Sequence, residues 1–160
     1  MTLRRASGRL RTRMLQGFCI LKCNSNAKRL KDLLLNSDNR VCADCDAPDP
    51  KWASANIGVF ICLKCCGGHR SLGTHISKVL SVTLDDWSDD EIDSMVEVGG
   101  NSSANSIYEA YFPEGFSKPG PEASNEERMK FIRYTFCLPR LYTINGSDCS
   151  TGKYGHPPVV

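Results

Sequence analysis

The sequence predicts an α+β domain in which a short antiparallel sheet, surrounded by helices, is built around a cluster of cysteines. Two Cys-x-x-Cys pairs stand sixteen residues apart in the first half of the chain, near two short β-branched runs that are typical of strands. Later segments begin with a Ser followed three residues on by a Glu, which is typical of a helix start. The length of 160 residues suits one domain.

The cysteine pairs predict a structural metal site. Cys42, Cys45, Cys62 and Cys65 offer four thiolates from two tight turns, which is the ligand set of a tetrahedral Zn²⁺ with Zn–S distances of about 2.3 Å. Such a site leaves no coordination position for an activated water, so we expect the zinc to hold the fold and the chemistry to lie elsewhere. The alternative to a metal site is that the two Cys-x-x-Cys pairs arise by chance or form disulfides. The five remaining cysteines cannot all pair within the chain, which favours reduced thiols.

The distribution of charge divides the chain. The first 27 residues carry six basic residues and no acidic one, whereas residues 28–135 carry 12 basic and 17 acidic residues. We expect a basic, disordered N-terminal arm over residues 1–25, a folded domain over 26–133 and an irregular tail over 134–160. The acidic body disfavours nucleic acid as a partner, because phosphate binding requires clustered Lys and Arg.

Three interpretations of the basic arm remain open: an organelle transit peptide, an arm that binds anionic lipid, and an unstructured tail without a role. The arm is a poor secretory signal, because Gln16 and Gly17 interrupt its apolar part. No apolar run in the chain approaches the roughly 20 residues of a membrane helix, so we expect any membrane contact to be peripheral.

The first half of the domain predicts two helices and two strands. Asn26 is expected to cap a helix with a leucine-rich inner face. Strands are predicted over 57–61 and 79–84, and a short helix over 63–72. Between the cysteine pairs, two prolines predict an extended loop that leads to Trp52.

The second half of the domain is expected to contain three helices. Capping boxes at Ser88 and Ser124 mark two helix starts, and the first of these helices is expected to bury Val96 and to end at Gly99. The last helix is expected to end near Arg133, where the apolar periodicity fails. The acidic residues around Ser88 suit a first helical turn better than a cation site.

Arg70 is the strongest candidate for a chemical role. It follows Cys65 after four residues, on backbone that a metal site would pin, and its guanidinium is a permanent planar cation that matches phosphate oxygens. The residues alone leave open that Arg70 is an ordinary surface residue and that Trp52 serves only packing. Other candidates are weaker: Cys66 is expected to be a buried thiol, the histidines form no recognisable triad, and the chain has no P-loop motif.

Together these motifs resemble one known domain. The pattern Cys42-x2-Cys45-x16-Cys62-x2-Cys65-x4-Arg70, with Trp52 between the pairs, is similar to the zinc-finger domain of the Arf GTPase-activating proteins (ArfGAPs). The resemblance continues through residues 69–78, Trp87 and Gly99-Gly-Asn101 to residues 131–133. It is closest to the plant ArfGAPs that continue into a C2 domain.

The resemblance implies a GTPase activator that is not itself an enzyme. The four cysteines would hold one structural zinc, and Arg70 would act in trans as an arginine finger on a GTP-bound Arf-family GTPase. The residues implied at the partner interface are Trp52, Ile57, His75 and Lys78. The family also implies a role in vesicle trafficking and a cytoplasmic location, peripheral on Golgi, endosomal or plasma membranes. The alternative is a zinc-dependent module that binds protein or lipid without activating a GTPase.

Gly68 departs from the family pattern. It stands where ArfGAPs usually carry Val or Ile, just before His69 and Arg70. Because glycine lowers helix propensity, we expect a looser turn at this point and a less ordered arginine finger.

Overall fold

The computed structural model describes residues 25–110 and 112–141. These residues form an α+β domain, which confirms the predicted fold class. In chain order the elements are α1 (residues 25–35), a 3₁₀ turn (Ser37–Arg40), β1 (Trp52–Ser54), β2 (Val59–Ile61), α2 (Leu63–Ser71), β3 (Val79–Ser81), α3 (Asp89–Val98), α4 (Asn101–Tyr108) and α5 (Asn125–Leu141).

The sheet has three antiparallel strands in the order β2, β1, β3. In the centre of the sheet, Ala53 of β1 pairs with Phe60 on one side and Leu80 on the other. The runs predicted over 57–61 and 79–84 therefore do form strands, each shortened to three residues. The sequence pattern does not predict β1, because only Trp52 of its three residues is of a type enriched in strands.

The sheet separates two apolar clusters. Val59 and Ile61 of β2 face the cluster on the cysteine side, where α2 and α5 pack, and Phe60 faces the cluster formed with α1 and α3. Successive residues of a strand point to opposite faces, so one short strand serves both clusters. All three side chains are at most 1 % exposed, and the cysteine site therefore rests on a rigid base.

Both predicted capping boxes are present. The Ser88 backbone N–H donates to the Glu91 carboxylate at 2.8 Å, and the Glu91 N–H donates to Ser88 Oγ at 3.3 Å. Ser124 and Glu127 make the same reciprocal pair, at 2.8 and 3.2 Å. α3 ends at Gly99, whose φ of +84° is the left-handed backbone that glycine adopts without strain.

Two predictions about helix residues are wrong, one about a cap and one about a buried face. Asn26 lies inside α1 instead of capping it, because its side-chain amide is used in a tertiary contact, donating to the Trp87 carbonyl at 3.0 Å. Val96 is 49 % exposed, since the packed face of α3 is narrow and is filled by Ile92 and Met95.

The predicted end of the last helix is also wrong. α5 continues to Leu141 instead of ending near Arg133, because the apolar spacing goes on from Ile132 to Phe136 and both side chains are buried. The prediction of an irregular tail from residue 134 is therefore incorrect up to residue 141. The remainder of that tail, and the predicted arm before residue 25, lie outside the described residues. In the part of the chain that is described, no helix combines the length and apolarity needed to cross a bilayer.

Candidate functional site

The four predicted metal ligands come together. The Sγ atoms of Cys42, Cys45, Cys62 and Cys65 lie within 4.8 Å of one another, and those of Cys45 and Cys62 are 3.7 Å apart. Four sulfurs around a tetrahedral Zn²⁺ with Zn–S distances of about 2.3 Å stand about 3.8 Å from one another. All four cysteines are free, so they are not paired as disulfides. The donor set and its spacing fit one zinc ion.

Hydrogen bonds shape both cysteine turns. In the first turn, the Cys42 N–H donates to the Ala47 carbonyl at 2.8 Å. In the second, Cys62 is the N-cap of α2, and its Sγ accepts the Cys65 N–H at 3.5 Å. The Cys62 N–H donates to Cys42 Sγ at 3.2 Å and joins the two turns. Hydrogen bonding with Cys42 lowers the pKa of the Cys45 thiol to about 6 and also lowers the pKa of Cys62. The same set of contacts raises the pKa of Cys42, through Cys45, and the pKa of Cys65, through Cys42.

A buried arginine contacts the cysteine cluster. Arg128 of α5 is 1 % exposed, and its Nη1 donates to Cys65 Sγ at 3.3 Å. Its other nitrogens donate to carbonyls of the segment before α5, namely those of Gly120, Pro121 and Ala123. Burial acts to lower the pKa of Arg128, but the contacts with the cysteine thiols outweigh it, so the pKa is raised and the side chain stays charged. Sequence reasoning missed Arg128, because nothing in its spacing relates it to the cysteines.

Arg70 lies exposed in the last turn of α2. Because α2 starts at Cys62, the second cysteine turn sets the direction of the helix that carries Arg70. The Arg70 guanidinium carbon lies 4.7 Å from the centroid of the Trp52 ring, a cation–π contact that restricts the side chain. None of the ion pairs among the described residues involves Arg70. The site thus presents an oriented cation that forms no ion pair with an acidic side chain in the described part of the chain.

His69, next to Arg70, is buried in a polar network. Its Nε2 lies 3.0 Å from Asp44 Oδ2, and its Nδ1 lies 2.8 Å from Ser77 Oγ. Asp44 belongs to the first cysteine turn and Ser77 to the loop after α2, and each is 1 % exposed. Ser77 Oγ is in turn 2.8 Å from Ser54 Oγ of β1. The network joins the cysteine turn, the sheet and α2 at the residue before Arg70.

The other residues predicted at a partner interface lie in different environments. Ile57 is 2 % exposed and packs in the cluster on the cysteine side, because the turn between β1 and β2 directs its side chain inward. The prediction that Ile57 contacts a partner is therefore wrong. His75 and Lys78 are exposed in the loop between α2 and β3, and Lys78 forms an ion pair with Glu91 of α3.

An exposed apolar residue lies on the same side of α2 as Arg70. Leu63, the first residue of α2, is 70 % exposed. Residues four and seven positions after it, Gly67 and Arg70, follow the spacing of one helix face. Sequence reasoning missed Leu63, although an apolar residue at this spacing from Arg70 is a visible signal. With Trp52, these residues combine aromatic, apolar and arginine side chains, as the centres of protein interfaces do.

The fold and the site define a small cysteine-cluster domain that presents an exposed arginine on a helix. Residues 27–142 match the ArfGap family, which is described as "Putative GTPase activating protein for Arf". The match covers most of the chain, and the chain belongs to this family.

Two similar curated proteins come from Arabidopsis thaliana. "ADP-ribosylation factor GTPase-activating protein AGD12" is 67 % identical over 140 residues, which cover 83 % of this chain and 42 % of AGD12. "Probable ADP-ribosylation factor GTPase-activating protein AGD13" is 72 % identical over 117 residues, which cover 73 % of this chain and 35 % of AGD13. The chain thus spans less than half the length of these relatives.

Solved structures share the fold. The "ArfGap domain of HIV-1 Rev binding protein" has a TM-score of 0.66 at 22 % identity, covering 78 % of this chain and 92 % of that domain. The ArfGap domain of human RIP, solved in solution, has a TM-score of 0.61 at 25 % identity, covering 79 % and 95 %. The helices, the small sheet and the cysteine turns described above are therefore those of an ArfGap domain.

Proposed function

We propose that this chain stimulates GTP hydrolysis by an Arf-family GTPase and that Arg70 is the arginine it supplies in trans. The observation that carries the proposal is the exposed Arg70 guanidinium, held 4.7 Å from the Trp52 ring on a helix that starts at Cys62. The family description and the names of the Arabidopsis relatives support the same activity.

The chemistry explains why a fixed arginine is useful. During GTP hydrolysis, negative charge is spread over the transferring phosphoryl group and the leaving oxygen. A cation that is already oriented stabilises this charge without the cost of reorganisation. Arg70 fits that role because Trp52 limits its conformations and no acidic side chain within residues 25–110 and 112–141 forms an ion pair with it. The GTPase, in its GTP-bound form, would supply the nucleotide pocket, the Mg²⁺ and the group that orients water, so this chain is an activator and its partner is the enzyme.

We assign the partner surface to the side chains around Arg70, of which Leu63 is exposed and Trp52 is half-buried. Leu63 and Trp52 would contact apolar parts of the GTPase and exclude water from the arginine, which strengthens its interaction with phosphate. His75 and Lys78, on the loop that follows α2, would lie at the edge of this surface. Polar residues at the rim of an interface contribute less to affinity than its buried centre does.

The proposed role of zinc is structural. Four cysteine ligands fill a tetrahedral coordination shell, so the zinc would staple the two cysteine turns and fix the start of α2. Zinc binding and folding then share one free energy, and we expect chelation or Cys45→Ser to abolish cooperative unfolding. Thermal melting followed by circular dichroism, with zinc content measured on the same sample, tests this. A cooperative melt that survives complete zinc removal would contradict the proposal.

Single-turnover GTP hydrolysis on a panel of GTP-loaded Arf-family GTPases tests the role of Arg70. The wild type is expected to accelerate hydrolysis, and Arg70→Lys to lose about 10³-fold or more of that acceleration, because lysine lacks the planar fork. Arg133→Lys is the matched control: it is an exposed arginine of α5 that is not among the residues assigned to the partner surface, and full activity is expected. All variants should keep the wild-type melting temperature.

The same assay separates activation from mere binding. If the wild type and Arg70→Lys are equally inert while both bind the GTPase, the chain is a zinc-dependent binding module and the proposed function fails. Binding is measured by titrating each zinc-loaded protein into the GTPase loaded with a nonhydrolysable GTP analogue.

We further propose that the basic N-terminal segment brings the domain to anionic membranes from the cytoplasm. Residues 1–27 carry six basic residues and no acidic one, and each basic residue near an anionic surface contributes about 1 kcal/mol. Deleting residues 2–24 is expected to weaken sedimentation with phosphatidylserine vesicles and to leave GTP hydrolysis in solution unchanged. Equal sedimentation of the deletion variant and the wild type would contradict the proposed membrane binding by this segment.

A further inference from the structure

Arg128 is a large charged side chain that the proposed reaction does not use. It is 1 % exposed, although arginine is among the residue types that are rarely buried without a charged partner. None of the ion pairs among the described residues includes Arg128. Its burial therefore needs a different source of negative charge.

The contacts of Arg128 identify that source. Its Nε and Nη2 atoms donate to backbone carbonyls, which are neutral, but Nη1 donates to Cys65 Sγ at 3.3 Å. Zinc with four thiolates carries a net charge of about −2, since each ligand sulfur is an anion. Asp44, 1 % exposed in the first cysteine turn, adds a further acidic group beside the cluster. A buried anion of this size is costly unless a cation compensates it.

We propose that Arg128 is the counter-charge of the zinc site: its guanidinium neutralises part of the thiolate charge and withdraws electron density from the Cys65 sulfur. This inference rests on the proposed structural zinc. Outer-shell hydrogen bonds of this kind orient metal ligands and tune their reactivity. Because Arg128 lies on α5, its contact with Cys65 also joins α5 to the second cysteine turn. The same interaction therefore compensates the charge and docks the helix.

A counter-charge has a consequence that a purely structural clamp does not have. A hydrogen bond from a cation lowers the nucleophilicity of a zinc-bound thiolate. Iodoacetamide reports nucleophilicity directly: the thiolate sulfur bonds to the CH₂ carbon, iodide leaves with the electron pair of the C–I bond, and the alkylated sulfur no longer holds zinc. Removal of the Arg128 charge should therefore speed alkylation of the folded, zinc-loaded protein.

The test measures zinc release from the full chain, carrying one zinc, at low temperature, with a chromophoric chelator reporting free zinc. The second-order rate constant is obtained from the dependence on iodoacetamide concentration, which separates attack on the folded protein from global unfolding. Arg128→Met and Arg128→Gln remove the charge, and Arg128→Lys retains it. Arg133→Met removes an exposed arginine five residues later on the same helix and is the control.

We expect Arg128→Met and Arg128→Gln to raise the second-order rate constant about tenfold or more, in the range that outer-shell substitutions produce, and Arg128→Lys to raise it less. The control should match the wild type. Rate constants for Met and Gln equal to that of the wild type would overturn the proposal. If neither neutral variant folds with zinc but Arg128→Lys does, the charge requirement is supported. If Arg128→Lys also fails while the control folds, Arg128 is a structural clamp and the proposal is overturned.

Failure of this proposal and failure of the structural zinc are distinguishable, because zinc content is measured first. If the wild-type chain folds without zinc, the proposed structural zinc is contradicted. If the wild-type chain requires zinc but its rate of alkylation does not depend on the charge at residue 128, only the proposed role of Arg128 is contradicted.

Discussion

His69 and Arg70 are neighbours in sequence with opposite environments. Successive residues of a helix are about 100° apart, so the side of α2 that packs against the domain takes His69 and the side that faces solvent takes Arg70. His69 contacts Asp44 and Ser77 inside the domain, whereas the exposed Arg70 guanidinium lies over the Trp52 ring. The buried histidine therefore fixes the backbone from which the exposed arginine projects.

The buried network predicts a large stability cost for His69→Ala. The substitution leaves the Asp44 carboxylate and the Ser77 hydroxyl buried with fewer partners, at about 1–3 kcal/mol for each unsatisfied group, and more for a charge. We expect a loss of about 3 kcal/mol or more in the free energy of unfolding, measured by urea titration of the zinc-loaded protein. His75→Ala, at an exposed histidine on the following loop, is the control and should cost much less stability than His69→Ala. Equal effects of the two substitutions would contradict the role of the network.

At the scale of elements, the packing of α2 against α5 explains Gly68. The expectation of a loose turn at this residue is wrong, because Gly68 is buried within a regular helix. A Cβ atom at this position would lie 2.5 Å from Cδ1 of Ile132, which is fully buried. Glycine therefore allows α5 to lie close to the helix that carries Arg70, and the departure from Val or Ile is matched by a large residue on the opposite helix.

A double-mutant cycle tests this pairing. Gly68→Val is expected to destabilise the domain by about 1–3 kcal/mol, the usual cost of overpacking, since the fully buried Ile132 side chain would have to shift. Ile132→Ala is expected to cost about 2–4 kcal/mol through a cavity. The double variant should lose less stability than the sum of the two, because the new valine fills the space that the isoleucine vacates. Gly67→Val is the control, because its Cβ would meet no atom within 4 Å. Additive effects would show that the two residues do not share space.

The capping box of α3 predicts a pH dependence. Burial alone would raise the pKa of Glu91, but hydrogen bonds from Lys78 and Ser88 outweigh it and the pKa is lowered. A carboxyl whose pKa falls on folding stabilises the folded state when ionised. That stabilisation is complete above the unfolded pKa of about 4.3 and is lost as the pH falls through the lower folded pKa.

We therefore expect Glu91→Gln to reduce the free energy of unfolding by about 1 kcal/mol at neutral pH, the size of a helix cap, and by progressively less as the pH falls below about 4.3. Denaturant titrations from pH 7 to pH 3 measure the difference. Glu97→Gln, an exposed glutamate on the same helix, should show a smaller effect at pH 7. A difference between wild type and Glu91→Gln that stays constant down to pH 3 would refute the contribution of the ionised carboxylate.

At the scale of the whole molecule, sequence reasoning succeeded where the signal is local. The cysteine spacing, the two capping boxes and the glycine that ends α3 each depend on a few adjacent residues, and the structure contains all of them. It failed where the partner is distant in sequence. Arg128 meets Cys65 across 63 residues, and Asn26 meets Trp87 across 61, so no periodicity could have reported either contact.

The C-terminal end of the domain also depends on contacts between residues that are distant in sequence. Family membership over residues 27–142 and the continuation of α5 to Leu141 agree that the domain extends past Arg133. Phe136 explains why: its ring centroid lies 4.9 Å from that of His69 and 5.0 Å from that of Tyr108 on α4. The last turns of α5 thus cover the histidine on which the position of Arg70 depends.

Truncation tests this boundary. A chain that ends at Arg133 loses Phe136 and its contacts with His69 and Tyr108, and we expect it to be destabilised by about 3–5 kcal/mol, the cost of deleting a buried phenylalanine, and to lose GTPase activation with it. A chain that ends at Leu141 keeps all of α5 and should melt like the full chain. Phe136→Ala in the full chain separates the effect of the side chain from that of shortening the helix, and it should account for most of the loss. Thermal melting of these three variants and of the full chain, all zinc-loaded, provides the measurement. If the chain ending at Arg133 and the chain ending at Leu141 melt at the same temperature, the end of α5 is not part of the folded unit and His69 is held without it.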